Sequence, residues 1–295
     1  MSAPPRATVV LLTFNGEEFL HELLTAVSTQ DAPFSYEVLA IDSGSTDATL
    51  SILAAFHEVR VEQIPNAEFG HGRTRNLAVE QARGDIVVFL TQDAVPADTH
   101  WLAEFVAAFD DAGDQLGAVF GRQIPRADCC PTVKRDVQTF FSSFGPTDQL
   151  TLQRALPPEA PQSLRDAAGF LSNVNSAARR DVLKEIPFPD VAYAEDQAFG
   201  RAVIAAGYLK AYVPSAAVFH SHNLGPRDYF ERQMDEWNGL RNSAGVTADV
   251  SRKKLALGWI KPTLADVRFI ARDPAYSPTR KLAWVATAPL YNDRP

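Results

Sequence analysis

Cysteine is nearly absent from this chain of 295 residues; its two, Cys129 and Cys130, are neighbours in sequence. Adjacent thiols bridge each other only with strain and no third thiol is present, so a disulfide framework is excluded and a reducing compartment fits. Long hydrophobic runs are missing as well. No stretch approaches the roughly 18 apolar residues of a membrane span, and the N-terminal MSAPPRATVV lacks the apolar core of a secretory signal. Positive charge is in deficit: 28 Lys and Arg face 36 Asp and Glu, for a net charge of −8. Nonspecific nucleic-acid binding is thereby disfavoured. Two phosphate-binding signatures also fail to appear, GxGxxG after the first strand and GxxxxGK[ST] anywhere, which removes support for a dehydrogenase-type dinucleotide site and for a P-loop ATPase. Internal repeats and low-complexity segments are absent too.

What is present is ample core-forming material, 46% apolar and 10% aromatic, enough for one large α/β domain or two small ones. Residues 8–13 are a continuous β-branched and aliphatic run that predicts a buried strand. Residues 17–27 read as a helix with Phe19, Leu20, Leu23 and Leu24 inward, and 37–41 as a second buried strand. Ser45 or Thr46 stands where it could cap the next helix, whose inner face is Leu50, Ile52 and Leu53. The pattern continues with a helix over 75–81, a strand over 85–90, a helix over 100–110 and a strand over 117–121. A Pro-rich, less regular stretch follows over 123–168, its clearest loop at 156–161. Alternation of this kind predicts an α/β fold with a mostly parallel sheet.

The charge is unevenly distributed. Residues 251–284 carry eight basic side chains, among them Arg252, Lys253, Lys254, Arg268 and Arg272, against Asp266 and Asp273 alone. Interleaved with Leu255, Leu257, Trp259, Ile260 and Phe269, this segment reads either as a surface for an anionic membrane or as a solvated amphipathic helical cap.

Ligands of open α/β sheets bind beyond the carboxyl ends of the strands. Those ends read Thr13-Phe14-Asn15-Gly16, Asp42-Ser43-Gly44-Ser45-Thr46-Asp47, Thr91-Gln92-Asp93 and Phe219-His220-Ser221-His222. Two acidic strand ends, one polar turn and a histidine pair suit a nucleotide with a divalent metal. A separate acidic pair, Glu195-Asp196, precedes the apolar helical pattern Phe199, Ala202, Val203 and Ala206, so both carboxylates fall near a helix N-terminus, where the dipole favours their charge.

Six segments in order, VVLLTFNGEEFL, VLAIDSGSTDAT, FGHGRTRNLAVEQARGDIVVFLTQDA, FLSNVNSAARRDVL, YAEDQAFGRAVIAAGY and AVFHSH, resemble the family 2 glycosyltransferases of GT-A fold over about residues 7–225. The combination of FGHGRTRN, TQDA, GRQIPR and SNVNSA is similar to their bacterial rhamnosyltransferase branch, which uses dTDP-L-rhamnose. The resemblance implies a Rossmann-like, mostly parallel sheet flanked by helices over 1–225, with a nucleotide-binding half over 1–121 and an acceptor-side half over 122–225. A helical C-terminal extension over 226–295 completes the expected organisation.

It also implies roles for particular residues. Asp93 matches the last Asp of the family's Asp-x-Asp, which binds Mg2+ or Mn2+ on the donor diphosphate, although Thr91 replaces the first Asp. His220 would complete the metal site, with His222 a second possibility. Asp42 matches the carboxylate that accepts the base N3–H, or acts as an Asp-turn; Thr13, Phe14 and Asn15 would wall base and ribose, and Gln92 and Arg75 would lie near the nucleotide. Asp196 is the implied general base, with Glu195 partly capping the helix and Arg201 a structural partner of these acids. Asn173, Asn175, Glu195 and His222 are candidates for acceptor or sugar contacts.

The activity so implied is a metal-dependent, inverting transfer of L-rhamnose to a hydroxyl of a glycan or lipid-linked glycan in bacterial surface polysaccharide synthesis. It would take place in the cytoplasm or at the inner face of the membrane. The competing readings are a UDP-hexose transferase and a non-catalytic sugar-nucleotide or glycan-binding module on the same fold. Retention of Asp42, Asp93 and Asp196 together favours catalysis, because a module has no chemical need for a base.

Overall fold

The computed structural model describes residues 3–244 and 257–292. In chain order the elements are β1 (Ala7–Thr13), α1 (Glu17–Ser28), β2 (Tyr36–Asp42), α2 (Thr49–Ala55), β3 (Val59–Gln63), α3 (His71–Gln81), β4 (Ile86–Thr91), β5 (Val95–Pro96), α4 (Trp101–Ala112) and β6 (Leu116–Ile124). There follow α5 (Pro131–Ser142), β7 (Thr151–Gln153), α6 (Gln162–Gly169), β8 (Asn175–Arg179), α7 (Arg180–Glu185), α8 (Glu195–Ala205), β9 (Leu209–Phe219), α9 (Pro226–Ala244), α10 (Ile260–Arg272) and α11 (Pro278–Tyr291). Two compact units divide the chain: Met1–Gln123 with Phe144–Phe219, and Ile124–Ser143 with His220–Pro295.

The first unit is built on a sheet of order β3-β2-β1-β4-β8-β6-β9-β5, with β7 paired to β9. Strands β3, β2, β1 and β4 run parallel. From β8 onward the recorded pairings are antiparallel, β4 with β8, β6 with β8, and β5 and β7 with β9. The sheet is therefore mixed, and the parallel expectation describes its N-terminal half. That half is legible because a strand covered on both faces is hydrophobic throughout: Ala7, Val9, Val10 and Leu11 of β1 are all buried, as are Ile86, Val87 and Val88 of β4. Helix α1 lays Leu20, Leu23, Leu24 and Val27 on this sheet, and α4 buries Trp101, Leu102, Phe105 and Phe109. Each of these large side chains contributes roughly 1.5–3 kcal/mol of burial.

Three details differ from the sequence expectations. Helix α2 begins at Thr49 with Ala48 as its N-cap, so neither Ser45 nor Thr46 caps it; Thr49 N–H instead bonds Asp47 Oδ1 at 2.9 Å. Helix α3 starts at His71, four residues early, and its first turn is engaged by the Arg75 side chain, which donates to the His71 carbonyl at 3.0 Å. The stretch 123–168 is not loop alone; it contains α5 and α6, each entered through a proline, at N1 in α5 and immediately before α6 in the other. Proline reads as a loop residue, yet it is favoured at a helix start because its missing N–H has no partner there anyway. Gly121 in GRQIPR is required by close packing, since a Cβ there would collide with the Ala216 carbonyl and the Asn175 side chain.

Lys210 on β9 is fully buried in the first unit, with no acidic partner among the described residues. Its ammonium donates to the carbonyls of Phe170, at 2.5 Å, and of the Gln153 side chain, and lies 4.7 Å from the Phe120 ring centre. Burial pulls its pKa down to about 7.

The second unit is helical, comprising α5 and α9 to α11. Its interior is polar where α5 meets α10: Asp266, completely buried, accepts from Thr132 at 2.8 Å and from Asn292 at 2.5 Å and pairs with Arg135 at 3.1 Å. Lys134 pairs with Asp273 at 2.6 Å. Both cysteines are free and buried, and burial raises the pKa of each thiol, Cys129 to about 11. Among the described residues, no helix is long and apolar enough to cross a membrane. Arg252, Lys253, Lys254 and Leu255 of the basic segment lie outside the described residues.

Candidate active site

The carboxyl ends of β1 and β2 are joined by a dense set of hydrogen bonds. Thr13 and Asp42 are register partners, and Thr13 Oγ1 donates to Asp42 Oδ2 at 3.0 Å. Asp42 is completely buried. Its Oδ1 accepts from the N–H groups of Gly44 and Ser45 at 3.0 and 2.9 Å, and its Oδ2 also accepts from Ser45 Oγ at 2.5 Å. Four donors match the roughly four lone-pair sites of a carboxylate, and those from the Gly44 and Ser45 N–H groups close the turn after β2. Gly44 makes that turn at φ +91°, where an L side chain is strained.

Asn15 adopts φ +46°, a conformation that Asn tolerates better than most residues. Its N–H donates to Ser45 Oγ, and its Oδ1 accepts from Thr46 N–H, both at 2.9 Å. Ser45 and Thr46 therefore tie the two strand ends together. Gln92, the residue immediately after the neighbouring β4, clasps the backbone of Phe14 on both sides, accepting from its N–H at 2.9 Å and donating to its carbonyl at 3.0 Å. Phe14 keeps its ring 45% exposed, an aromatic face available for stacking. Thr13, Phe14, Asn15, Asp42 and Gln92 thus converge on one place, through contacts that sequence spacing could not show.

Asp93 is half-buried in the short turn between β4 and β5, and β5 Val95 is the register partner of Phe219, the last residue of β9. In the second unit His220 is buried, its N–H donating to the Ile124 carbonyl at 3.0 Å, and its ring stands edge-on to that of His222 with centres 4.9 Å apart.

The acidic pair opens α8. Ala194 just before it is left-handed at φ +62°, a strained state for Ala of a kind that gathers at functional sites. Glu195 is buried and paired with Arg75 Nη1 at 2.7 Å; the same nitrogen donates to the His71 carbonyl at 3.0 Å. Arg75 is thus engaged by Glu195, and the partner of Glu195 is Arg75 rather than Arg201. No sequence signal links residues 120 positions apart. Asp196 stays partly open to solvent. Its oxygens accept from Asn173 N–H at 3.0 Å and Gln197 N–H at 2.7 Å. Desolvation first, and the neighbouring Glu195 carboxylate second, raise its pKa to about 6, against the lowering effects of those amides and of Arg75. The result is a carboxylate that is ionised at neutral pH yet more basic than an ordinary Asp.

The two asparagines part company. Asn175 is buried and braces the sheet, accepting from Trp101 Nε1 at 2.8 Å and donating to Ala216 O at 2.7 Å. Asn173 accepts from Ser176 Oγ at 2.9 Å, while its buried Nδ2 has no partner among the described residues.

Similarity gives the chain a family. The family model "Glycosyl transferase family 2" matches residues 8–187. The chain belongs to glycosyltransferase family 2. Within that family it is 33% identical to the O-antigen chain rhamnosyltransferase RfbN of Salmonella typhimurium over 78% of this chain and 71% of the other. It is 34% identical to the corresponding enzyme WbaN of Salmonella anatum, again over 78% and 71%. This glycosyltransferase also shares its fold with a mannosyltransferase from Pyrobaculum calidifontis, solved with GDP-Man and Mn2+, at TM-score 0.61 and 20% identity, covering 97% of this chain and 80% of that one. Glucosyl-3-phosphoglycerate synthase from Mycobacterium tuberculosis aligns at TM-score 0.56 and 19% identity over 83% and 82%. The GT-A architecture with a helical C-terminal region is thereby shown.

Proposed function

We propose that this glycosyltransferase moves L-rhamnose from dTDP-L-rhamnose to a hydroxyl of a glycan or lipid-linked glycan during synthesis of a bacterial surface polysaccharide, with inversion at the anomeric carbon. The sugar assignment is supported by the two Salmonella O-antigen chain rhamnosyltransferases. The chemistry rests on one observation, the partly open Asp196 with its pKa raised to about 6 at the first turn of α8. As the acceptor oxygen attacks the anomeric carbon, its proton passes to the Asp196 carboxylate, the new C–O bond forms, and the bond to the nucleoside diphosphate breaks. Asn173, with an unpartnered buried Nδ2, is the donor offered to acceptor or sugar.

In this reading the donor base stacks on Phe14, within the loop that Thr13, Asn15, Asp42 and Gln92 hold in shape. Arg75 acts through Glu195, holding its carboxylate in place beside Asp196. Asp93 with His220, or with His222, would hold Mg2+ or Mn2+, a donor set of carboxylate oxygen and imidazole nitrogen that Mn2+ accepts readily. When bound, the ion neutralises charge on the leaving diphosphate. Residues 1–225 would form the catalytic domain, and 226–295 an extension resting on the cytoplasmic face of the membrane. The non-catalytic alternative is disfavoured because the relatives that span most of this chain are transferases.

A donor screen tests the assignment: thermal stabilisation and turnover with dTDP-rhamnose, UDP-glucose and UDP-GlcNAc, each with and without Mn2+. Preferred turnover of dTDP-rhamnose is expected. Turnover of a UDP-hexose with none of dTDP-rhamnose would remove the rhamnosyl assignment and leave the family intact.

A further inference from the structure

The second unit contains a cleft of about 590 Å3 between α5 and α10, lined by Lys134, Arg135, Gln138, Arg268, Phe269 and Arg272 among others. Two of its cations are neutralised internally, Lys134 by Asp273 and Arg135 by Asp266. The other two are not. Arg268 and Arg272 stand one helical turn apart on α10, both exposed, and neither makes an ion pair or hydrogen bond among the described residues.

The distribution of charge on α10 is one-sided. Its single acid, Asp266, is completely buried on the inner face, with Thr263 and Ile270. Its outer face presents Lys261, Leu264, Arg268 and Arg272, spaced three and four residues apart so that they share one stripe. Leu264 on that stripe is 52% exposed. The continuing chain adds Lys281 and Leu282, the latter 74% exposed. Basic side chains with apolar ones between them, and no acid on the same face, complement an anionic lipid surface. A concave site adds something a flat patch lacks: two free guanidiniums that can each bind phosphate oxygens in bidentate fashion, beside the Gln138 amide.

We propose that the α5–α10 cleft binds the phosphate group of an anionic membrane lipid through Arg268 and Arg272, seating Leu264 at the bilayer surface. The inference deepens the membrane contact in the functional reading, but needs neither the rhamnosyl assignment nor the catalytic one.

The test uses the whole chain with vesicles of phosphatidylcholine alone or with phosphatidylglycerol, read by co-sedimentation at low and high salt. Wild type is expected to bind the anionic vesicles, to release in high salt and to ignore phosphatidylcholine. Arg268→Gln with Arg272→Gln should weaken binding about 25-fold, taking about fivefold per basic side chain at such a surface. Donor hydrolysis in the absence of vesicles should be unchanged in this variant, which separates the lipid site from the transfer reaction. Lys281→Gln, on the next helix, should cost less than either arginine. The proposal is overturned if wild type does not bind phosphatidylglycerol vesicles at low salt, or if the double variant binds them as wild type does. Titration of wild type with inorganic diphosphate covers a free phosphate source; equal affinity for it without vesicle binding would also overturn the lipid assignment.

Discussion

Two buried corners of the first unit each hold an aspartate, and their neighbours treat them oppositely. Asp42 receives four donors, from Thr13, Gly44 and twice from Ser45. Asp196 receives two backbone N–H groups and has a second carboxylate, Glu195, as its neighbour in the chain. A carboxylate wrapped in donors serves as a fixed piece of framework. One that is desolvated and crowded by like charge is poised to take a proton. The difference arises from the surroundings, and it separates the part of the site that shapes the donor loop from the part proposed to do chemistry.

The largest effect expected of this contrast is on turnover. Asp196→Asn keeps size and much of the hydrogen bonding but cannot accept a proton, so transfer should slow by roughly 10²- to 10⁴-fold while donor affinity by calorimetry is kept. Glu195→Gln, matched in size, should cost less than Asp196→Asn in the same rate assay. A greater loss from Glu195→Gln with intact folding would move the base to Glu195.

The next effect tests the ion pair that steadies the reactive corner. Side chains of Arg75 and Glu195 are 6% and 8% exposed, and removing one member of a buried pair strands the other charge. Arg75→Met should therefore lower unfolding free energy by about 3–5 kcal/mol, measured by denaturant titration. The double change Arg75→Met with Glu195→Leu should recover most of it, since an apolar pair leaves no unpaired charge. A loss under about 1 kcal/mol for Arg75→Met would mean that water reaches the pair.

The two corners also differ in how well the sequence announces them. The β1–β2 corner is local in kind: hydrophobic runs end abruptly in TFNG and DSGSTD, and strand ends collect polar residues for a reason that pattern reading can use. Its internal wiring was still hidden. Ser45, which suggested a helix cap, turned out to be a donor to Asp42, because the loop closes on the neighbouring strand before the helix begins. Around α8 the sequence showed the acids and the helix start, but not Arg75, whose pairing with Glu195 depends on α3 and α8 approaching in space. Lys210 is the extreme case. A lysine inside an apolar strand gives no hint that it will be buried against two carbonyls and the Phe120 ring, since all three come from distant segments. Helices α5 and α6 were missed for a simpler reason, proline at their entrances being read as a loop signal.

The smallest effect is the most direct contest between the two aspartates, because their substitutions should change stability differently. Asp196 has a folded pKa of about 6 against an ordinary 3.8. The folded state therefore holds its proton more tightly than the unfolded chain, and stability must fall as pH rises between those values. The penalty is absent below about pH 4, grows toward pH 6 and is complete above it. At about 1.4 kcal/mol per pH unit, and less for a group still partly open to water, it reaches about 1–3 kcal/mol. Asp196→Asn removes that penalty, so its stability relative to wild type should be higher at pH 8 than at pH 4 by this amount, on top of a pH-independent cost of setting its amide against the Asn173 or Gln197 N–H. Asp42→Asn should be less stable than wild type at pH 8. Its amide group would face a donor where an oxygen had accepted, a mismatch that costs about 1–3 kcal/mol. Paired denaturant titrations of both variants at pH 4 and pH 8 read the signs. If Asp196→Asn gains nothing on wild type between pH 4 and pH 8, its carboxylate carries no such penalty, and the contrast between the two corners fails.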